Sequence, residues 1–267
     1  MTLVIVLGIF IGAIMGLTGA GGGILAVPVI VAGMHWTMQQ AAPVALIAVA
    51  AGAAVGAIDG FKHGLVRYKA AMLMAICGVP ITRLGQQWAH VLPQFVLMGG
   101  FALLMLAVSW RFYKESQQTQ LTSEEDALRL AFISSDTGKF IWTPIAALIL
   151  AGIGMMTGLM TGLLGVGGGF LIVPLMRRFT HLAVPGIVAT SLFVITLVGS
   201  GGVVNALLAG AELPVVETSS FVGAMICGML IGRRVSRKLQ PWQVQRGFAA
   251  LLSLVSAYML FKAYLNF

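Results

Sequence analysis

The groups best able to do chemistry in this chain sit in two glycine-rich strings of the same design. GLTGAGGGILAVP runs from Gly16 to Pro28, and 146 residues later GLLGVGGGFLIVP runs from Gly162 to Pro174. Glycine costs a helix about 1 kcal/mol per position against alanine, so each triplet breaks the apolar segment that carries it. A helix that restarts beyond the break, at Ile24 and at Phe170, presents backbone N–H groups without helical partners and the positive end of its dipole. Such an arrangement holds a small oxyanion without a buried Lys or Arg. The expected substrate-binding residues are Gly19, Gly21, Gly22 and Gly23 in the first string and Gly165, Gly167, Gly168 and Gly169 in the second. The hydroxyls of Thr18, Thr190 and Ser191 stand nearby. The competing reading is close helix packing, which small residues serve in membranes; Gly12, Gly16, Gly158 and Gly162, spaced by four, fit packing better than binding. Neither string reads G-x-G-x-x-G, since Ile24 and Phe170 take the last position, and no G-K-[ST] follows. Nucleotide binding is rejected on that ground.

Few ionisable groups accompany the glycines. Asp59 lies near the end of an apolar segment, and the 146-residue register matches it with Asn205, which joins the expected binding set. An acid inside a membrane is costly and so often functional, which gives Asp59 a coupling or gating role; an interfacial ion pair with Lys62 or His63 is the alternative. Arg83 follows Pro80-Ile-Thr and reads either as a snorkelling arginine or as an anion-attracting residue at an exit. Arg233, Arg234, Arg237 and Lys238 read as a cytoplasmic anchor. His35, His90 and His181 form no metal-ligand spacing with Cys or acids, so neither a metal nor any other cofactor is expected. Trp36, Trp88, Trp110, Trp142 and Trp242 fall near helix ends, as an aromatic belt requires, and no nucleic-acid partner is read into a pI near 10.0. Cys77 and Cys227 lie in apolar segments, where a thiol behaves as a small hydrophobe.

The elements that must position these residues are set by composition. With 59% hydrophobic and 9% charged residues, against roughly 25% charged in soluble domains, the chain must face lipid. The fold class to expect is an all-α integral membrane protein. A helix crosses the hydrocarbon layer in about 20 apolar residues, and the charges and prolines divide the chain into eight such helices: 2–18, 39–61, 70–88, 92–112, 140–164, 184–208, 215–232 and 242–265. The apolar run begins at once, without a basic leader, and reads as the first span rather than a cleaved signal. Behind each glycine break, 24–33 and 170–176 are too short to span and read as half-helices or re-entrant turns. The polar stretch 115–139 separates a first repeat, 1–114, from a second, 140–267. It is a cytoplasmic linker in which Thr122-Ser-Glu-Glu125 caps a surface helix over 126–133.

Positive charge decides the orientation. If each glycine segment simply continued across, the 16 basic residues would split evenly between the two sides. If each turns back to the side it came from, fourteen share one side and only Arg83 and Lys262 the other. The second arrangement makes the two four-helix repeats inverted, each with a Gly-broken re-entrant segment, and puts both termini outside.

The register extends beyond the glycines: Gly64 matches Gly210, and after a slip of four residues Cys77-Gly78 matches Cys227-Gly228 and Arg83 matches Arg233. The paired G-x-x-G-x-GGG-x-x-x-V-P strings, the Ala189-Thr190-Ser191-Leu192 run and the Gly-Arg-Arg before the last helix resemble the TauE/SafE family of sulfite exporters over nearly the whole chain. The resemblance implies a multi-pass transporter of the bacterial inner membrane that exports sulfite, a sulfonate-like or another small anion. The first half departs from it, with Ala42-Pro43-Val44-Ala45 where Thr-Ser is expected, so contacts implied by that run carry over only to Thr190 and Ser191. The expected partners are a small anion and membrane lipid, and a homodimer is compatible with the reading. A passive anion channel and, behind it, an intramembrane maturation subunit are the alternatives; an enzyme is not expected, for lack of a cluster of His, Cys or acids at membrane depth.

Overall fold

The apolar segments all become helices, and what ends them is readable in the residues. The computed structural model describes residues 2–19, 21–34, 36–118, 143–180, 182–211, 213–236 and 239–265. Its helices are α1 (Thr2–Thr18), α2 (Ala26–Met34), α3 (Met38–Lys62), α4 (Tyr68–Val91), α5 (Gln94–Gln118), α6 (Pro144–Leu164), α7 (Gly169–Phe179), α8 (Val184–Leu208), α9 (Val215–Ser236) and α10 (Pro241–Leu265), with a 3-10 turn over Gly22–Leu25. Thr37 and Gln40 cap the start of α3 reciprocally, side chain to backbone. Thr143 caps α6 and Pro144 opens it, and Gly165, at φ +69°, closes it in the left-handed conformation that only glycine adopts freely. The short apolar pieces behind the breaks are helical, as α2 after its 3-10 turn and as α7.

Six helices, α3, α5, α6, α8, α9 and α10, are long and apolar enough to cross a membrane. Two of the eight expected spans fall short of that measure. The helix α1 has only 17 residues, and the second half of α4 carries Arg83, Gln86, Gln87 and His90. The helix α5 runs on to Gln118, into the stretch expected to be linker, because Ser116 is fixed there: its Oγ donates to the carbonyl of Trp242 and accepts from Arg246 Nε at 3.1 Å. The surface helix expected over 126–133 and its cap at 122–125 lie outside the described residues, as do His35, Trp142, His181, Arg237 and Lys238.

Packing follows the small residues. The helices α1 and α9 run parallel in close contact, and so do α6 and α4, so each half lends its opening helix to the other half. A Cβ added to Gly12 would stand 2.1 Å from the carbonyl oxygen of Met225, and one on Gly158 would stand 2.1 Å from that of Gly78. Backbones approach this closely only where side chains are absent, which is the packing role expected of Gly12, Gly16, Gly158 and Gly162. The other two pairings join equivalent helices of the two halves, and both are antiparallel. In α3 and α8, Gly56 meets Leu192 while Gly202 meets Leu46. In α5 and α10, Ser109 Oγ lies 2.7 Å from both the carbonyl of Ala249 and Ser253 Oγ, and Ser256 Oγ donates to the carbonyl of Ala102 at 2.7 Å. Hydroxyls satisfied in this way serve as polar glue where no water competes. Cys77 and Cys227 are free thiols.

Candidate functional site: two cavities on the α3 and α8 pair

Because α3 and α8 are antiparallel, the last turn of each lies beside the first turn of the other, and a cavity opens at each end. The first, of about 970 Å³, is lined by Gly16, Thr18, Gly19, Gly21, Asp59, His63, Val188, Ala189, Leu192 and Arg233, with Arg111 and Arg177. The second, of about 910 Å³, is lined by Gln39, Gln40, Ala42, Pro43, Leu46, Arg83, Gln86, Gln87, His90, Gly162, Gly165 and Asn205. The linings correspond through the repeat: Gly16 with Gly162, Gly19 with Gly165, Leu192 with Leu46, Asp59 with Asn205, and Arg233 with Arg83. At about 30 Å³ per water molecule each has room for roughly thirty, so these are wide vestibules rather than fitted pockets.

Between them the two glycine turns meet. Val49 on α3 and Ile195 on α8, themselves 146 residues apart, are buried and line neither cavity. A Cβ on Gly23 would lie 3.0 Å from Val49 Cγ1 and 3.3 Å from the carbonyl oxygen of Val166. One on Gly167 would lie 2.9 Å from Ile195 Cγ2 and 3.0 Å from the same Val49 methyl. The triplets thus let the backbone of both breaks close over an apolar Val49 and Ile195 layer that separates the vestibules.

The expected binding residues are divided by this geometry. Thr18, Gly19, Gly21 and Asp59 line the first cavity, while Gly165, Asn205 and Arg83 line the second. Gly22, Gly23, Gly167, Gly168 and Gly169 are buried and line neither. No described group accepts a hydrogen bond from the amides of Gly167 or Gly168. Thr190 and Ser191 are also buried away from both cavities. Their hydroxyls are engaged within α8, Thr190 Oγ1 donating to the carbonyl of Gly186 at 2.7 Å and Ser191 Oγ to that of Val188 at 2.8 Å. Thr18 Oγ1 likewise donates to the carbonyl of Ile14 at 2.8 Å.

Charge is arranged unequally. Asp59 Oδ2 lies 2.7 Å from Arg233 Nη2, and Arg233 Nη1 donates to the carbonyl of Gly56 at 3.1 Å. The closest charged partner of Asp59 is therefore not Lys62, three residues along the chain, but an arginine from the other half. His63 Nδ1 stands 3.7 Å from the carboxylate and 2.8 Å from the Asp59 carbonyl. In the second cavity Gln86 Nε2 takes the carbonyl of Gly202, the match of Gly56, at 2.8 Å. Arg83 makes no hydrogen bond or ion pair with a described residue. Three arginines line the first cavity and one the second, and the only described acid in either is Asp59.

Arg233 in the site, rather than in an anchor, and the amides of Gln39, Gln40, Gln86 and Gln87 were missed by reading residues singly. The signal was present in the match of Arg83 with Arg233. Trp36, expected in the aromatic belt, lines the second cavity instead, while Trp88 and Trp110 are exposed on the apolar surface.

The family described as Sulfite exporter TauE/SafE matches residues 4–259. The chain is 23% identical to Probable membrane transporter protein YunE of Bacillus subtilis, covering 97% of each chain. It is 22% identical to a Probable membrane transporter protein of Methanocaldococcus jannaschii over 97% of this chain and 94% of that one. A Probable membrane transporter protein of Xylella fastidiosa is 24% identical over 95% and 92%. No solved structure matches the chain significantly.

Proposed function

The chain belongs to the sulfite exporter TauE/SafE family, and from that membership in a family of multi-pass membrane transporters we propose that it exports a small anion, sulfite or an organosulfur anion such as a sulfonate, across the bacterial inner membrane. The observation that carries the reading is the pair of cavities: similar in volume, basic, lined by equivalent residues of two halves, and closed from one another by Val49 and Ile195. A site that must open alternately to two sides requires this kind of symmetry, because each state of one half is the other state of its twin. The apolar layer weighs against a passive channel, which needs a continuous wet path.

Eight spans in two inverted repeats, 1–114 and 140–267 joined by 115–139, accommodate these features. When a helix pairs antiparallel with its own repeat mate, as α3 does with α8 and α5 with α10, the two-fold axis relating them is perpendicular to both and lies in the membrane plane. In this reading the first cavity faces the cytoplasm, which the positive-inside rule supports through Arg111, Arg177 and Arg233 in its lining. An anion entering there is drawn by those arginines, meets the glycine turns whose amides offer hydrogen bonds, and leaves past Arg83 and Asn205. A negative-inside potential favours its exit by about 2.3 kcal/mol per charge per 100 mV, so a driving force exists without ATP.

The test is counterflow in proteoliposomes with sulfite, sulfate, sulfoacetate, thiosulfate and simple carboxylates. Saturable exchange of a sulfur oxyanion is the expected result, weakened when Gly22 and Gly168 are replaced by alanine. Movement of none of these anions, or conductance without saturation, overturns the reading.

A further inference from the structure

The two cavities carry matched arginines, and among the described residues only Arg233 has a counter-ion. Arg233 holds Asp59 at 2.7 Å and the Gly56 carbonyl at 3.1 Å. On the other side the matching carbonyl, that of Gly202, is taken by Gln86 instead, so Arg83 is released from that duty, and the residue matching Asp59 is the neutral Asn205. At the position that faces the matched arginines, the two cavities thus differ by one carboxylate. To a guanidinium a carboxylate and a small oxyanion offer the same thing, negatively charged oxygens within reach of planar N–H donors.

Resting on the anion-transport reading above, we propose that Asp59 is a tethered competitor of the transported anion: its carboxylate occupies Arg233 while the first cavity is empty and is displaced when an oxyanion binds there. The side chains of Arg233 and Asp59 are 30% and 35% exposed, so the pair is open to the cavity and exchangeable rather than locked in the core. The tether sets a threshold. An anion must bind Arg233 better than Asp59 does, which admits strong hydrogen-bond acceptors such as sulfur oxyanions and turns away weak ones such as chloride. In the second cavity Asn205 imposes no such threshold on Arg83.

The experiment measures sulfite counterflow by the full-length chain in proteoliposomes, assayed separately from each face, with chloride as competitor. Asp59→Asn is expected to lower the half-saturating sulfite concentration at the first-cavity face about five-fold, the equivalent of about 1 kcal/mol for a partly exposed ion pair, and to make chloride inhibitory there. Asn205→Asp is expected to raise the half-saturating concentration at the opposite face by a similar factor. In an Arg233→Gln background, Asp59→Asn should give no gain. A gain that persists without Arg233 reflects the general loss of a negative charge and overturns the proposal, as does an unchanged half-saturation in Asp59→Asn. Should that variant not fold, Asn205→Asp decides alone: no weakening at its face overturns the competition. A wild-type chain that moves no anion of the panel overturns the transport reading and the competition with it, whereas a transporting wild type with unresponsive variants overturns only the competition.

Discussion

The hydroxyl of Thr190 accepts a hydrogen bond at 3.0 Å from the backbone N–H of Arg67, tying the residue that precedes α4 to the buried face of α8. The first N–H groups of a helix and of its cap have no helical partner, so an acceptor supplied from elsewhere in the fold fixes where α4 begins. Thr190→Val should destabilise the protein by about 1–3 kcal/mol, because a part-buried donor loses its acceptor. The half-saturating anion concentration should stay as in the wild type, since the hydroxyl lines neither cavity. Melting in detergent and counterflow on the same preparation separate the two effects, and a change confined to anion affinity would return Thr190 to the binding set.

The seams between α1 and α9 and between α6 and α4 leave no room for a methyl group. Gly12→Ala and Gly158→Ala should each cost about 1–3 kcal/mol through overpacking. Gly152 and Gly223 meet nothing within 4 Å, so alanine there should raise stability by up to about 1 kcal/mol through helix propensity alone. Opposite shifts in the melting temperature of the two classes check the packing.

The Val49 and Ile195 layer should act as the seal. Shortening both, in Val49→Ala with Ile195→Ala, removes about five methylene-sized groups, each worth about 0.8 kcal/mol of burial, and opens a gap between the vestibules. The expected outcome is an anion leak that no longer saturates, read as fast dissipation of an imposed gradient. Tight vesicles from the double variant would place the seal elsewhere.

Sidedness follows from the cavities. In a background free of Cys77 and Cys227, His63→Cys should react with a membrane-impermeant maleimide from the cytoplasmic face and Gln87→Cys from the opposite face. Both labelling from the same side would remove the inversion.

The ion pair of Asp59 and Arg233 should be measurable by contrast with its twin. Arg233→Ala loses two bonds and should lower stability by about 1 kcal/mol, the scale of a partly exposed pair. Arg83→Ala breaks no bond to a described residue and should leave the melting temperature unchanged while weakening anion uptake at its own face.

How much of this was legible beforehand depends on the distance over which each interaction acts. Residues 16–28 and 162–174 announced the duplication and both helix breaks, because a glycine triplet acts on its own backbone. The spans over 39–61 and 184–208 were located to within a residue or two for the same reason: apolar length is a local property. The end of α5 was placed six residues early, since the segment after Phe112 is polar and what holds it helical is Ser116 against Trp242 and Arg246 on α10.

The candidate site was legible only in part. Asp59, Asn205, Arg83 and the glycine turns could be named from type and register. Thr190 and Ser191 have the right chemistry, yet the direction of a side chain on a buried helix is set by its neighbours, and both hydroxyls donate within α8, that of Thr190 also accepting from the N–H of Arg67. Arg233 shows the reverse. Its place beside Arg234 reads as an anchor, and only the crossing of α3 with α9 brings it to Asp59.

By itself, then, the order of residues determined the apolar helical character, the paired glycine strings and the helix breaks, since each depends on composition or on neighbours within a turn or two. The tertiary structure alone decided that α1 docks on α9 and α6 on α4, that the glycine turns close on Val49 and Ile195, and that Arg233 meets Asp59 in one cavity while Asn205 stands at the matching place in the other. Those outcomes depend on contacts between residues far apart in the sequence, such as Gly158 with Gly78 and Gly12 with Met225, where packing of whole helices, not local preference, chooses the partner.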